Sequence, residues 1–183
     1  TIVDGKNTQE IESAILPTTK ILYLESPTST TMEIQDLKEC SALAKKYNLI
    51  SIIDNSYASP LLQNPIDFGI DLVVHSGTKY INGHSDIVMG VICGTTELIK
   101  KIFYSEYMTL GQIISPHDTS LAIRGLRTIH LRVDRSARSA AYILEKLHNH
   151  PKIEKIYYPF LTDQQTLALK QMKGGGMFSL GLK

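Results

Sequence analysis

The chain has 183 residues and carries nineteen basic and eighteen acidic side chains, a formal net charge of +1. With 43% hydrophobic and 20% charged residues it has the balance of an ordinary globular protein with a sizeable core. Three features set aside whole classes: no apolar run approaches the roughly 18 residues of a membrane span, the near-neutral charge gives no general pull toward nucleic acid, and Cys40 and Cys93 stand alone without a CxxC pair, which fits a reducing compartment such as the cytoplasm better than a disulfide framework. The opening TIVDGKNTQE has no basic stretch followed by an apolar one, so no secretory signal is read there.

Asn7 or Thr8 can cap a short helix, TQEIESAI, which Pro17 closes. KILYLE (20–25) reads as a strand ending in the turn-rich ESPTST. Asp36 can cap a second helix whose Leu37, Cys40, Leu43, Ala44 and Tyr47 share one face. NLISIID (48–54) is a continuous apolar run ending in a carboxylate, which suits a strand covered on both faces. DLVVHS (71–76) and IVMGVICG (87–94) read as further strands, and TELIKKIFYSEY as a helix. Residues 116–148 form a long helical stretch, broken at most near Gly125. KIEKIYYP is expected as a strand, LTDQQTLALKQM as a helix broken by Gly174–Gly176, and MFSLGL as a strand left without a partner. Alternating strands and helices indicate an α/β layered domain with a mostly parallel sheet. Residues 1–148 read as part of that domain and 149–183 as the beginning of a second, smaller one.

In open α/β sheets ligands bind beyond the carboxyl ends of the strands. Three polar clusters fall at such ends: Glu25–Ser29, Asp54–Tyr57 and His75–Tyr80. Ser76, Thr78 and the backbone around Gly77 can hold a phosphate, although the nucleotide-hydrolase loop GxxxxGK[ST] is absent. Lys79 stands beside them, and a lysine amine can form a Schiff base with an aldehyde. Asp54 could pair with a protonated ring nitrogen and so make a pyridinium ring an electron sink. Together these describe a site for pyridoxal 5′-phosphate. Spacing alone leaves the alternatives open, since Lys79 is one of fourteen lysines and could be a solvated surface charge, and Asp54 could be a helix cap or turn former.

Longer words in the sequence narrow this. YLESPTSTTMEIQDL, IIDNSYASPLLQNPIDFGIDLVVHSGTKYINGHSD, IRGLRTIHLRV and IEKIYYP occur in this order. They resemble the transsulfuration family of pyridoxal phosphate enzymes, the cystathionine synthases and lyases and methionine γ-lyase. The resemblance covers nearly the whole chain and implies the large domain of a fold-type I (aspartate aminotransferase-like) enzyme, followed by the start of the smaller α+β C-terminal domain. It assigns Lys79 to the cofactor-binding lysine, Asp54 to the ring-nitrogen carboxylate, and Ser76 and Thr78 to the phosphate cup. Ser179 matches a serine near the substrate carboxylate. Where many members carry ESPxNP, this chain has ESPTSTT, with Ser29 in the asparagine's place beside the cofactor's ring hydroxyl. That run, with SEYMTLGQ and TSLAIRGLRT, looks most like the cystathionine β-lyase branch, in which Tyr107 matches a pocket tyrosine; Tyr107 could equally be a core aromatic. The implied reaction is α,β-elimination of a sulfur amino acid, cystathionine giving homocysteine, pyruvate and ammonia. The γ-lyase, γ-synthase and methionine γ-lyase reactions remain open, as does a non-enzymatic role.

Two other constellations carry less. His75, His84 and Asp86 share no helix or strand period, so no metal is expected there. All five arginines lie between Arg124 and Arg138, which raises a nucleic-acid-binding stripe, but interleaved Leu126, Ile129 and Val133 and the neutral chain argue for a solvated or subunit-facing stripe instead. No nucleic-acid or membrane partner is expected, and the family's habit implies a homo-oligomer, a tetramer built of dimers. Members are roughly double this length, so the chain is expected to be a fragment that binds the cofactor weakly or not at all by itself.

Overall fold

The computed structural model describes all residues, 1–183. Helix α1 (Thr8–Ser13) is capped by Asn7, whose side chain accepts the Gln9 amide, and leads to β1 (Ile21–Glu25). Helix α2 (Leu37–Lys46) begins at Asp36, whose carboxylate accepts the Glu39 amide at 3.0 Å. It ends in Lys45 and Lys46, basic charges suited to a helix C-terminus. Next come β2 (Ile50–Asp54), the short α3 (Ser59–Leu62), β3 (Leu72–Ser76) and β4 (Gly90–Gly94). Strands β1, β2 and β3 are parallel and lie in sequence order, while β4 runs antiparallel to β3. The register sets Glu25 beside Asp54, and Asp54 beside Val74. The carboxyl ends of all three parallel strands therefore emerge at one rim.

The central strands are covered as their apolar runs require. Ile11 of α1 and Leu37, Cys40 and Leu43 of α2 pack with Leu24, Ile53, Ile70 and Val73 in the main core. Leu37, Cys40 and Ile53 are fully inaccessible, and burial of Leu37 or Ile53 is worth about 1.5–3 kcal/mol. The same burial pushes the Cys40 thiol up to about 12, so it behaves as a small core hydrophobe.

Beyond β4 come α4 (Thr96–Ile102), a wider turn at Phe103–Tyr107, and α5 (Met108–Leu110). Helix α4 packs on β4 through half-buried Leu98, Ile99 and Ile102, whereas Tyr104, Met108 and Leu110 beyond it are exposed. The long helical stretch is two helices, α6 (Pro116–Leu126) and α7 (Ile129–Leu147). The break falls at Arg127–Thr128, near Gly125 as expected; Gly125 itself is helical, and its lack of a Cβ lets α6 touch the loop at Asn82.

The C-terminal segment is β5 (Ile153–Tyr157), α8 (Gln165–Gln171) and β6 (Ser179–Leu182). The expectation that the last strand lacks a partner is corrected: β6 pairs antiparallel with β5, Tyr157 opposite Ser179. Helix α8 packs back on the first unit. Gln164 exchanges two hydrogen bonds with the Ile34 backbone, at 2.9 and 2.7 Å, and Gln171 accepts from the Leu37 amide and donates to the Gln35 carbonyl. Met32, Ile34, Tyr57 and Ala58 close this contact over Ala168 and Met172.

Candidate active site

A cleft of about 270 Å³ opens at the carboxyl rim of the parallel strands. Glu25, Ser29, Asp54, Tyr57, Lys79 and Met177 are in its wall. A larger groove of about 590 Å³ follows the β1 edge beside Thr1–Gly5, but no lysine, histidine or arginine lines it, so the chemistry belongs to the smaller cleft.

Each polar group reaches the cleft for a local reason. Asp54 ends β2, and its Oδ1 accepts the Ser56 amide at 2.8 Å, which leaves its other oxygen directed by that turn. Ser56 Oγ in turn accepts the Ser76 amide at 2.6 Å and ties the ends of β2 and β3 together. Beneath them, fully buried Asn55 donates to the Ser59 and Gln63 carbonyls, and Gln63 donates to Asn55 Oδ1 and to the Ser26 carbonyl at 3.0 Å. This network fixes the loop that carries Pro27 and Ser29. The Ser29 hydroxyl donates to the Glu25 carboxylate.

Lys79 lies in a tight turn after β3. Its amide donates to the Ser76 carbonyl at 3.1 Å, and its carbonyl accepts the Gly83 amide at 2.7 Å. Its ammonium makes no hydrogen bond or ion pair, and the residue is exposed. Thr78 is braced on β4, its hydroxyl accepting the Met89 amide at 3.0 Å and donating to the Met89 carbonyl. Gly77 is required there, since a Cβ would stand 2.7 Å from Met89 Cγ. Ser76, at the end of β3, has no hydrogen bond on its hydroxyl.

Tyr57 and Tyr80 line one side of the cleft, and Tyr158 is buried behind the Gly174–Met177 segment that they meet. Tyr57 Oη donates to the Met177 carbonyl at 2.7 Å, and Tyr158 Oη to the Gly175 carbonyl at 3.1 Å. Burial raises the pKa of Tyr57, Tyr80 and Tyr158 above the ordinary phenol, so all three stay protonated donors. Behind Asp54 lies His75, whose pKa burial lowers against the opposing charge of Asp54.

Of the residues singled out from sequence, the structure brings Lys79, Asp54 and Ser29 to one cleft, with Ser76 at the adjoining end of β3 and Thr78 in the turn that follows. Tyr107 lies in the exposed turn after α4, and Ser179 lies in β6; neither lines the cleft. Met177 was missed. Its signal is Gly174–Gly176, which the sequence shows only as a helix breaker: a Cβ on Gly175 or Gly176 would stand 2.2 or 2.3 Å from a tyrosine hydroxyl, so the glycines admit Tyr57 and Tyr80 against this segment. The arginines do not form one stripe. Arg124 pairs with Asp86 at 2.9 Å, Arg138 pairs with Asp134, and Arg132 turns inward.

Residues 1–183 match the family described as Cys/Met metabolism PLP-dependent enzyme. The chain belongs to that family. It is 40% identical over 185 residues to an L-methionine gamma-lyase of Pseudomonas putida, covering 99% of this chain and 46% of that protein. It is 37% identical to a cystathionine beta-lyase of Coxiella burnetii, over 99% of this chain and 48% of the relative. The solved structure of cystathionine gamma-lyase from Lactobacillus plantarum, complexed with L-serine, superposes with a TM-score of 0.97 at 38% identity, over 100% of this chain and 49% of that one. The chain thus spans about half the length of these relatives. The family's cofactor is pyridoxal 5′-phosphate, and the fold is that of its fold-type I enzymes. The residues present suit that group: an unpaired lysine amine for an aldehyde, a carboxylate at a strand end for a ring nitrogen, and a serine hydroxyl beside a glycine turn for a phosphate.

Proposed function

We propose that the whole protein is a pyridoxal phosphate-dependent carbon–sulfur lyase that cleaves cystathionine by α,β-elimination, releasing homocysteine, pyruvate and ammonia. The observation that carries the reading is the cleft itself, with Lys79 and Asp54 in one wall and no competing cation beside them. Lys79 would hold the cofactor through its amine, and that amine, when free, would be placed to take the proton from the substrate Cα, a general-base role. Asp54 would hold a proton on the ring nitrogen. Ser76, Gly77 and the turn braced by Thr78 receive the phosphate. The bound cofactor supplies a sink for the electron pair left at Cα. The Cβ–S bond then breaks, the sulfur leaves as a thiolate that gains a proton, and water completes the conversion of the remaining three-carbon unit.

The β-lyase assignment within the family draws support from ESPTSTT, whose Ser29 stands in the cleft wall and is held by Glu25. Residues 1–148 belong in this reading to the cofactor domain and 149–183 to the beginning of a smaller one, which the separate β5–β6 sheet favours. We also propose a cytoplasmic homo-oligomer acting on a small sulfur amino acid. Incubation of the full-length protein with cystathionine tests the reaction. Pyruvate with homocysteine is the expected product pair; 2-oxobutyrate with cysteine makes it a γ-lyase.

A further inference from the structure

Ile129 and Val133 pack the first turns of α7 under Ile81, at the end of the lysine-bearing turn. One charged side chain joins that packing, Arg132. Its Nη1 donates to the Tyr80 carbonyl at 2.7 Å, and its Nη2 to the Gly125 carbonyl at 2.8 Å. Nη2 also reaches the Ile81 carbonyl at 3.5 Å, and Nε donates to Thr128 Oγ1 at 3.1 Å. All four acceptors are neutral. None of the chain's ion pairs involves Arg132, whereas Arg124 and Arg138 each have a carboxylate. Burial lowers the Arg132 pKa, but a guanidinium stays charged at any physiological pH. A half-buried cation held by three carbonyls and a hydroxyl, with no carboxylate, is an unusual expense for surface decoration.

The turn it serves explains the arrangement. Asn82 donates to the Gly77 carbonyl at 2.9 Å and Gly83 to the Lys79 carbonyl, and Gly83 ends the turn at φ +72°. The Tyr80 and Ile81 carbonyls are left without backbone donors, as at a helix C-terminus, where a cation is favourable. Arg132 occupies that place. Two glycines make the approach possible: a Cβ on Gly83 would stand 1.9 Å from Arg132 Nη1, and one on Gly125 would stand 2.2 Å from the Asn82 carbonyl oxygen. The Lys79 ammonium has no partner of its own, so only the backbone of this turn sets where it enters the cleft.

We infer that Arg132 is a positioning residue for Lys79: its guanidinium locks the carbonyl end of the lysine turn to the α6–α7 junction and so fixes the amine in the cleft. The inference rests on the Lys79 reading above. The experiment therefore begins with the wild-type full-length holoprotein, reduced with borohydride and mapped by peptide mass. A pyridoxyl group on Lys79 upholds the site; one on another lysine removes the site and the inference together. With Lys79 upheld, Arg132→Met and Arg132→Lys are compared with wild type using pyridoxal phosphate as the probe. Arg132→Met is expected to keep its far-ultraviolet circular dichroism and cooperative unfolding without cofactor. Its Kd for the cofactor rises about tenfold or more, as expected for a displaced reacting group, and the pH midpoint of the lysine-linked cofactor's absorbance moves. Arg132→Lys recovers only part, because an ammonium cannot span the fork of carbonyls. Should Arg132→Met not fold, Arg132→Lys decides by the same two readouts. A variant that loses only thermal stability, with wild-type Kd and pH midpoint, overturns the inference.

Discussion

Gly175 tests how the C-terminal segment is held against the cleft. It is buried and its backbone angles are open to any residue, so alanine brings no dihedral strain there. The cost is steric. The new Cβ would stand 2.2 Å from Tyr57 Oη and 2.8 Å from Cζ, and Tyr57 is a buried ring that cannot swing aside freely. Overpacking of this kind costs about 1–3 kcal/mol. Moving the ring also breaks the 2.7 Å bond from Tyr57 Oη to the Met177 carbonyl, another ~0.5–1.5 kcal/mol. Gly175→Ala is therefore expected to destabilise by about 2–4 kcal/mol in equilibrium urea unfolding. Tyr57→Phe deletes the atom in closest conflict, so the double variant is expected to be less destabilised than the two single costs together, by about 1 kcal/mol of coupling. A Gly175→Ala protein as stable as wild type, or strict additivity with Tyr57→Phe, refutes the reasoning.

The remaining predictions are simpler. Leu37→Ala removes a fully inaccessible side chain from the main core and is expected to cost about 2–5 kcal/mol in urea unfolding. His75 has its pKa lowered by burial, so the unfolded chain binds the proton more readily. The stability this gives is full above about pH 6.5 and declines as pH falls below it; thermal midpoints against pH should show that decline, and His75→Gln should flatten it. Asp54→Asn leaves an acceptor for the Ser56 amide but no negative charge for a protonated ring nitrogen. It is expected to bind pyridoxal phosphate yet lose elimination activity by about 100-fold or more, measured as pyruvate release.

Much of this was legible because local chemistry and position coincide. The apolar runs ISIID and LVVHS suit covered strands, so Asp54 at the end of the first and Lys79 just after the second fall at one rim. Asn7 and Asp36 carried their caps in the sequence. What escaped was long-range. Nothing in MFSLGL announces β5 as its partner across the intervening helix, and β-pairing has no local signature of that kind. The helix break near Gly125 was legible, but not that Gly125 itself stays helical and serves close approach to Asn82, with the break at Arg127–Thr128. The arginine run looked like a surface stripe because sequence spacing cannot show that Arg132 faces carbonyls. Met177 enters the cleft wall only because Tyr57, far away in sequence, holds its carbonyl.

The central claim is that Lys79 is the lysine of a pyridoxal phosphate site. Lys79→Ala in the full-length protein tests it most directly, because an exposed side chain without hydrogen bonds can be removed without disturbing the fold. The account predicts a folded protein that has lost both the absorbance band of lysine-linked cofactor and turnover of cystathionine. A variant that keeps the band and the turnover contradicts it.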